Sequence, residues 1–270
     1  MTRFWHSAAT SPGRVRRVNE DSYLALPPLF AVADGMGGHG AGDLASRLAV
    51  DTLTSAARAR PLTADGVLAA LDAANRAIVT YEGAKGMGTT ITGLALLEAG
   101  GGDHLMVFNV GDSRVYRLIE GRLDQVTVDH SEVQELVLAG VITRDQARVH
   151  PRRNIVTRAL GTDPGPRPDY WLLPANAGDR FLVCSDGLYT EVPDERIAVL
   201  LASGSPQVAA AALVAAAEDA GGHDNVTVIV AEVVGYGDLG SSGGALDETR
   251  VDVTTLPRGE LPGQPGNRGR

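Results

Sequence analysis

The chain has 270 residues, of which 44% are hydrophobic, and this is enough apolar material for a substantial packed core. Its net charge of -9 argues against general binding to nucleic acids or to anionic membranes. A single cysteine, Cys184, excludes an intramolecular disulfide, and no apolar run reaches the length of a transmembrane helix. Residues 1–6 lack the apolar core of a signal peptide, so we predict a soluble, cytoplasmic monomer.

The first part of the chain contains short apolar runs followed by longer amphipathic segments. Residues 23–26 and 29–33 are short and apolar, which is typical of strands. Apolar residues then recur at roughly helical spacing over 41–59 and again over 65–81. This pattern predicts two strands followed by two consecutive amphipathic helices.

After residue 86 the pattern returns to strands, and their connections are short and contain Gly or Asp. We predict an antiparallel meander of four consecutive strands, at 89–97, 105–110, 115–118 and 123–128. Further helices are predicted at 131–139, 143–149, 194–201 and 206–219. Three more strands are predicted at 169–173, 179–184 and 226–234.

The order of these elements favours an α+β fold, because the helices are inserted in blocks and do not alternate strictly with the strands. We predict a four-layer α-β-β-α sandwich, in which two packed antiparallel sheets are flanked by helix pairs. The domain is expected to cover residues 1–236. Residues 237–270 are rich in Gly and Pro and cannot bury a core, so we predict that they form a disordered tail.

Three aspartates stand beside apolar runs that are predicted to be strands. Asp34 and Asp186 each follow such a run, and Asp224 precedes one. A carboxylate at a strand end is costly to desolvate without a cation or donor, and neighbouring carboxylates raise one another's pKa. Mg²⁺ and Mn²⁺ prefer oxygen ligands and remove this conflict. The pattern therefore predicts a metal site lined by carboxylates.

Six short motifs follow one another between Gly13 and Val234. They are Arg16-Arg17-Val18-Asn19-Glu20-Asp21-Ser22, Asp34-Gly35-Met36-Gly37-Gly38-His39, Gly88-Thr89-Thr90, Val110-Gly111-Asp112-Ser113-Arg114, Ser185-Asp186-Gly187-Leu188 and Asp224-Asn225-Val226-Thr227. Each motif alone is weakly specific, but the six in this order resemble the bacterial form of the metal-dependent protein phosphatase family, the protein phosphatase 2C-like family. The resemblance implies a β-sandwich between helical layers, with the metal site at one end.

The resemblance assigns most of these acidic residues to a site for two Mn²⁺ or Mg²⁺ ions. It implies that Asp34 bridges the two ions and that the Gly35 carbonyl is a further ligand. Asp186 and Asp224 resemble the other ligands of one ion, and Glu20 resembles a ligand of the second. Asp112 resembles a ligand of a third, weaker ion that is shared with Asp186.

Each of these residues also has a plain structural interpretation. Asp34 could cap the helix that is predicted to begin near residue 41, and Asp224 could be a turn residue before a strand. Glu20 and Asp21 could form an exposed acidic pair. Asp112 could be an ordinary turn residue between two strands.

Two further residues are candidates for direct contact with a substrate. Arg16 stands four residues before Glu20, where the family has a phosphate-binding arginine, and a guanidinium fork suits two phosphate oxygens. An extended chain would point the neighbouring Arg17 away from the site. His39 resembles a general acid that would protonate the leaving serine or threonine oxygen. Bacterial members of the family carry extra glycines before this histidine, and a histidine at the start of a helix is the alternative.

The single cysteine does not support a thiol-dependent phosphatase. Such an enzyme needs a phosphate-binding loop that ends in an arginine six residues after the cysteine, where this chain has Thr190. Cys184 also lies within an apolar run. We therefore predict that it is a buried structural residue.

The resemblance implies hydrolysis of phosphoserine and phosphothreonine in proteins by a hydroxide that bridges the two ions. Its partners would be phosphorylated proteins, including a cytoplasmic Ser/Thr kinase and the substrates of that kinase. One alternative is a phosphatase restricted to one regulatory partner, of the anti-sigma antagonist type, and another is a non-catalytic phosphoprotein-binding module. Residues 141–153 are predicted to form a flap beside the site, with a basic patch that recruits phosphorylated or acidic segments and consists of Arg148, His150, Arg152 and Arg153.

Overall fold

The computed structural model describes residues 2–37, 41–59, 61–82, 86–99, 102–162, 165 and 167–234. The strands of this part of the chain are β1 Arg3–Ser11, β2 Ser22–Leu26, β3 Leu29–Ala33, β4 Gly35–Met36, β5 Gly88–Thr89, β6 Ile91–Ala99, β7 Gly102–Val110, β8 Arg114–Ile119, β9 Arg122–Gln125, β10 Asp169–Pro174, β11 Arg180–Cys184 and β12 Val226–Val234. The helices are α1 Ala41–Arg58, α2 Ala64–Val79, α3 Glu132–Leu138, α4 Arg144–Arg148, α5 Asp186–Tyr189, α6 Asp194–Leu201 and α7 Pro206–Ala220.

Ten of these strands form two five-stranded antiparallel sheets. One sheet has the order β1-β12-β11-β8-β9, and the other has the order β10-β7-β6-β3-β2. Strands β4 and β5 form a separate two-stranded ribbon. The ribbon continues directly from β3, so it extends one end of the second sheet.

The two sheets pack face to face, and a helix pair covers the outer face of each. Phe30 and Val107 of one sheet share an inner cluster with Phe181 and Ile229 of the other. Helices α1 and α2 pack on the second sheet, and α6 and α7 pack on the first. The predicted four-layer α-β-β-α sandwich is therefore confirmed.

Strand β3 shows why its apolar residues run without a polar interruption. Side chains alternate between the two faces of a strand. Phe30 and Val32 therefore face the other sheet, whereas Leu29, Ala31 and Ala33 face the helices. Because both faces are covered, all five residues of the strand are buried.

Cys184 also lies in a buried position, as the sequence predicts. It belongs to the cluster between the first sheet and the helices α6 and α7, and its side chain is fully buried. Burial raises the pKa of this thiol. A thiol in such surroundings is inert, which agrees with a structural role.

Strand β1 is the longest element that the sequence does not predict, and the short elements β4 and α5 are also not predicted. It pairs antiparallel with β12 at nine positions, from Arg3 opposite Val234 to Ser11 opposite Val226. Polar and small residues make up most of β1, so it lacks the apolar run by which the other strands are recognised. Such a composition is compatible with its place at the edge of the sheet.

The predicted meander is wrong at one connection. Strands β7 and β8 follow each other closely in sequence, but they lie in different sheets. The chain crosses between the sheets at Gly111, whose φ of +112° lies in the left-handed region. A Cβ atom there would come within 2.6 Å of the Thr90 side chain, so the crossing requires glycine.

The predicted disordered tail at 237–270 lies outside the described residues, so the domain boundary stays a prediction. None of the helices in the described ranges is long and apolar enough to span a bilayer.

The packing of β6 against Phe108 can be tested at Gly93. A Cβ atom at this position would lie 2.3 Å from the Phe30 carbonyl oxygen and 2.4 Å from Phe108 Cζ. We expect Gly93→Ala to lower the free energy of unfolding in urea by about 1–3 kcal/mol, as overpacked cores do. The control is Gly66→Ala in α2, where the nearest atom is 3.2 Å away. Its free energy of unfolding should stay unchanged or rise by up to about 1 kcal/mol. Equal stability of both variants would contradict this packing.

Candidate metal centre

Five aspartates lie at the same end of the sandwich, each close to the end of a strand. Antiparallel pairing brings these strand ends together within each sheet, since Ser22 pairs with Ala33 and Cys184 pairs with Val228. The two sheets contribute different members of the group. They are Asp21 before β2, Asp34 after β3, Asp112 after β7, Asp186 after β11 and Asp224 before β12.

The backbone of Asp34 is fixed by two threonines of the neighbouring segment. The Asp34 N–H donates to Thr90 Oγ1 at 3.0 Å, and the Asp34 carbonyl accepts from Thr89 Oγ1 at 2.8 Å and from the Thr90 N–H at 2.9 Å. Helix α1 begins at Ala41, seven residues later, so Asp34 does not stand at the position of its N-cap. The capping interpretation of Asp34 is therefore wrong.

Gly35 allows two segments to approach Asp34 closely. A Cβ atom at Gly35 would lie 2.2 Å from the Gly42 carbonyl oxygen and 2.5 Å from the Glu20 carbonyl oxygen. The glycine is thus required by the packing of α1 and of the loop before β2. The role of the Gly35 carbonyl as a metal ligand stays a prediction.

Asp21 is a member of the group that the sequence analysis did not select as a ligand. Its Oδ2 accepts a hydrogen bond from Ser185 Oγ at 2.8 Å, and Ser185 precedes Asp186. Its Oδ1 is buried and has no hydrogen-bond partner among the described residues. A buried carboxylate oxygen without a partner is the kind of atom that a cation stabilises. The signal for Asp21 was its position directly before a strand.

Burial and mutual repulsion raise the pKa of four of these carboxyl groups. Burial, with Asp186 and Asp224 nearby, raises the pKa of Asp21 to about 7. Burial, with Asp186 and Asp129, raises the pKa of Asp112 to about 8. Burial, with Asp224, raises the pKa of Asp186 to about 6. The pKa of Asp34 is raised well above its usual value by burial and then by the charges of Asp21 and Asp186. A divalent cation would relieve this repulsion.

The carboxylates are neighbours, but they do not already form a closed ligand shell. Within the described ranges, no three His, Cys, Asp or Glu side chains surround a single ion position. The charge of Asp186 acts on Asp34, and Asp224 Oδ2 accepts a hydrogen bond from Arg16 Nη2 at 2.8 Å. The donor chemistry and the burial fit Mn²⁺ or Mg²⁺. Coordination by Asp224 Oδ2 would replace its bond to Arg16.

Arg16 and Glu20 lie in the loop that joins β1 to β2. The hydrogen bond and charge of Asp224 raise the pKa of Arg16, and Glu20 and Asp186 contribute less. The Glu20 carbonyl accepts a hydrogen bond from Ser46 Oγ of α1 at 2.6 Å. Glu20 and Asp21 are both partly buried, and the charge of Asp21 acts on Asp34. The interpretation of the two acidic residues as an exposed surface pair is wrong.

The turn that carries Asp112 is held on both sides by one histidine. The Gly111 N–H donates to His130 Nδ1 at 3.1 Å, and the His130 N–H donates to the Gly111 carbonyl at 2.9 Å. Asp112 is 7% exposed. An ordinary turn aspartate lies in solvent, so burial sets Asp112 apart from that interpretation.

A partly buried cation, Arg114, lies behind this turn. Arg114 forms a salt bridge with Asp129 at 2.7 Å and lies 3.5 Å above the Tyr189 ring. Tyr189 in turn donates its hydroxyl to the Asp112 carbonyl at 2.8 Å. The Arg114 charge lowers the pKa of Asp112 and of Asp186, against the larger effect of burial. Neither Arg114 nor Tyr189 was a candidate from the sequence.

The segment with helices α3 and α4 emerges next to the aspartates. Its two ends are joined by a bridge between Ser131 and Val156, and Leu160 pairs with Thr89 beside Asp34. This position supports the predicted flap at 141–153.

The basic patch of the flap is smaller than the sequence predicts. Arg148 pairs with Asp194 at 3.4 Å, and Arg152 pairs with Glu132. Arg153 is exposed and forms no ion pair with a residue that the structure describes. The sequence could not indicate these pairs, because Asp194 lies 46 residues from Arg148, and Glu132 lies in α3 whereas Arg152 lies in the turn after α4.

His39 lies outside the described residues, so its predicted role as general acid stays a prediction. Arg17 is exposed, and the described residues offer it no ion pair.

The comparisons with known proteins identify the family. The family model described as Protein phosphatase 2C matches residues 16–220. The chain belongs to the protein phosphatase 2C family. The matched range contains Arg16, Asp34, Asp112 and Asp186, and Asp224 follows shortly after it.

Relatives of this protein phosphatase 2C chain are found in several bacteria. It is 44% identical over 241 residues to the serine/threonine protein phosphatase PstP of Mycobacterium tuberculosis, an alignment that covers 86% of this chain and 45% of PstP. It is 38% identical over 239 residues to the serine/threonine phosphatase stp of Listeria welshimeri, which covers 83% of this chain and 93% of stp. The chain thus spans less than half the length of PstP.

A solved structure agrees in fold. The catalytic domain of PstP in complex with two manganese ions aligns with a TM-score of 0.79 and 39% identity, covering 87% of this chain and 100% of that domain.

The raised pKa values predict how stability depends on pH when metal is removed. The pKa of Asp186 rises on folding from 3.8 to about 6, so the folded state binds this proton more tightly than the unfolded state. In excess chelator the free energy of unfolding should therefore fall as the pH rises from about 4 to about 8, because the buried carboxyl groups lose their protons over this range. Asp186→Asn removes this charge and should raise the free energy of unfolding at about pH 8 by about 1–2 kcal/mol.

The measurement is urea unfolding in chelator at several pH values. The control is Asp219→Asn, which alters an exposed carboxylate and should change stability by less than about 0.5 kcal/mol. A destabilised Asp186→Asn protein at alkaline pH would contradict the electrostatic interpretation.

Proposed function

We propose that this protein is a metal-dependent phosphatase that hydrolyses phosphoserine and phosphothreonine in proteins. The observation that carries the proposal is the meeting of five aspartates with Arg16 at one end of the sandwich. A group of buried carboxylates attracts divalent cations, and a guanidinium beside it attracts a phosphate. The similarity to the serine/threonine phosphatases PstP and stp supports the same activity.

The metal would be held by the side chains of the candidate centre. We assign Asp34, Asp186 and Asp224 to two Mn²⁺ or Mg²⁺ ions, with Glu20 or Asp21 completing the second site. Asp112 is assigned to a third, weaker ion. Two ions bound there would supply a water molecule of lowered pKa as the nucleophile. The two manganese ions of the PstP catalytic domain support this number.

Arg16 would bind the phosphate of the substrate. Its Nη2 donates to Asp224, and the guanidinium has further N–H donors in the same plane. These donors suit two oxygens of one phosphate group. We assign to His39 the protonation of the leaving serine or threonine oxygen.

The protein substrates are proposed to include a Ser/Thr kinase and the proteins that it phosphorylates. A phosphatase restricted to one regulatory partner is the second candidate. A non-catalytic phosphoprotein-binding module would be expected to lack one or more of the carboxylates, and the described residues retain Asp34, Asp186 and Asp224. The monomeric state and the cytoplasmic location stay predictions.

The activity is tested by phosphate release from phosphothreonine peptides. We expect release with Mn²⁺ or Mg²⁺ and none in excess chelator. Asp34→Asn and Asp186→Asn should each lower kcat/KM by about 100-fold or more. Loss of a residue that only hydrogen-bonds to a metal ligand lowers activity by about 10- to 100-fold, and loss of a ligand itself should cost more. Circular dichroism checks that both variants are folded.

The matched control is again Asp219→Asn, which should keep the wild-type kcat/KM. Wild-type turnover by Asp186→Asn would show that the ligand assignment is wrong. Binding of the phosphopeptide without release of phosphate under any metal condition would favour the non-catalytic module.

The flap generates a separate prediction about protein substrates. Arg153 is the arginine of the predicted basic patch whose charge is not already paired within the described ranges, so Arg153→Ala should raise KM for a phosphoprotein several-fold. KM for p-nitrophenyl phosphate should not change, because this small ester does not reach the flap. Arg148→Ala, which removes a paired arginine, is the control. Equal effects of Arg153→Ala on both substrates would count against recruitment by the flap.

A further inference from the structure

Asn225 holds the loop that carries Arg16. Its Nδ2 donates to the carbonyls of Pro12 at 3.1 Å and Val18 at 2.9 Å, and its Oδ1 accepts from the Glu20 N–H at 2.9 Å. Asn225 is 7% exposed. Both amide donors and the amide oxygen are therefore used within one loop.

These three bonds reach across the whole loop. Residues 12–21 join β1 to β2 and contain no helix or strand. One carboxamide contacts the first residue of this loop, Pro12, its penultimate residue, Glu20, and Val18 between them. Because its donors and its acceptor lie in one plane, the carboxamide fixes the relative positions of these three backbone groups. Arg16 lies within the span that they enclose.

A second set of contacts docks the same loop next to Asp224. The Gly222 carbonyl accepts from the N–H groups of Arg14 at 2.8 Å and Val15 at 3.2 Å. A Cβ atom at Gly13 would lie 2.3 Å from the Asp224 carbonyl oxygen, so the two backbones are in close contact. The loop is thus held on both sides of Asp224, which is the residue that pairs with Arg16.

We propose that Asn225 is a positioning residue for phosphate binding. It fixes the loop so that the Arg16 guanidinium points towards the carboxylate cluster. Without it, the loop keeps its contacts with Gly222 and its two flanking strands, so the fold is expected to persist while Arg16 samples other orientations. The proposal rests on the proposed function, because it assigns a substrate phosphate to Arg16.

The chain offers a matched control in Asn75. This residue is also 7% exposed, and it also bonds to backbone groups of a loop, donating to the Thr162 carbonyl at 3.0 Å and accepting from the Gly161 N–H at 2.8 Å. It connects α2 to a different loop from the one that carries Arg16. Asn75→Ala therefore reproduces the loss of a buried loop-binding amide without touching the Arg16 loop.

The first experiment measures inhibition by inorganic phosphate of the Mn²⁺-loaded enzyme with p-nitrophenyl phosphate as substrate. We expect Asn225→Ala to raise the Ki of phosphate and the KM by about 10-fold, with a smaller change in kcat. Asn75→Ala should leave both constants within about 2-fold. In an Arg16→Ala background, Asn225→Ala should have no further effect on Ki, because coupled residues are not additive.

Two outcomes of this experiment would overturn the proposal. One is that Asn225→Ala raises the Ki of phosphate by the same factor in the wild-type and Arg16→Ala backgrounds. This result would show that Asn225 does not act through Arg16. The other is an equal rise in Ki for Asn75→Ala, which would reduce Asn225 to a general stabilising role. Asn225→Ser is the second variant if the alanine variant does not fold, and the same results are expected from it.

The second experiment needs neither metal nor substrate. Hydrogen exchange of a peptide covering residues 12–20 should be faster in Asn225→Ala than in the wild type, and unchanged in Asn75→Ala. Unchanged exchange in Asn225→Ala would overturn the proposal, as would faster exchange with an unchanged Ki. If the wild type released no phosphate at all, the proposed function would fail, whereas the exchange result would still decide whether Asn225 holds the loop.

Discussion

The repulsion between buried carboxylates is the constraint on which this end of the sandwich depends. Four of them have a raised pKa because water is excluded and like charges are close. Such an arrangement opposes folding unless other interactions compensate for it. Three apolar clusters, one between the sheets and one under each helix pair, provide that compensation. The stability that the apolar core provides thus allows these carboxylates to stay buried together, where they can bind a metal ion.

The site also depends on how the two sheets pack together. Asp34 belongs to one sheet, whereas Asp186 and Asp224 belong to the other, so their separation is set by the inner layer that contains Phe30 and Ile229. The chain crosses between the sheets at Gly111, directly before Asp112. The hydrogen bonds of His130 on both sides of Gly111 fix this crossing. A substitution in the inner layer can therefore affect the metal centre without contacting it.

The sequence predicts most elements because their apolar residues follow the period of the helix or strand that forms. β3 and α1 are examples, since nearly all of their apolar residues enter a cluster. The strand β1 escapes prediction because its polar residues suit a sheet edge. The change of sheet at Gly111 is not predicted, because a short Gly-Asp connection also fits a hairpin. The ion pairs of Arg148 and Arg152 join residues that are distant in the sequence, so local patterns do not contain them.

The segment from Gly222 to Asn225 has two roles, and the proposed reaction requires both of them to be aligned with each other. It carries Asp224, a proposed ligand, and it holds the backbone of the Arg16 loop. The positions of a metal ion and of a phosphate are then set by the same short piece of chain. A charged side chain at position 225 could also span the loop, but it would change the electrostatic balance among the nearby aspartates. An amide supplies two donors and an acceptor without any charge, which explains why asparagine suits this place.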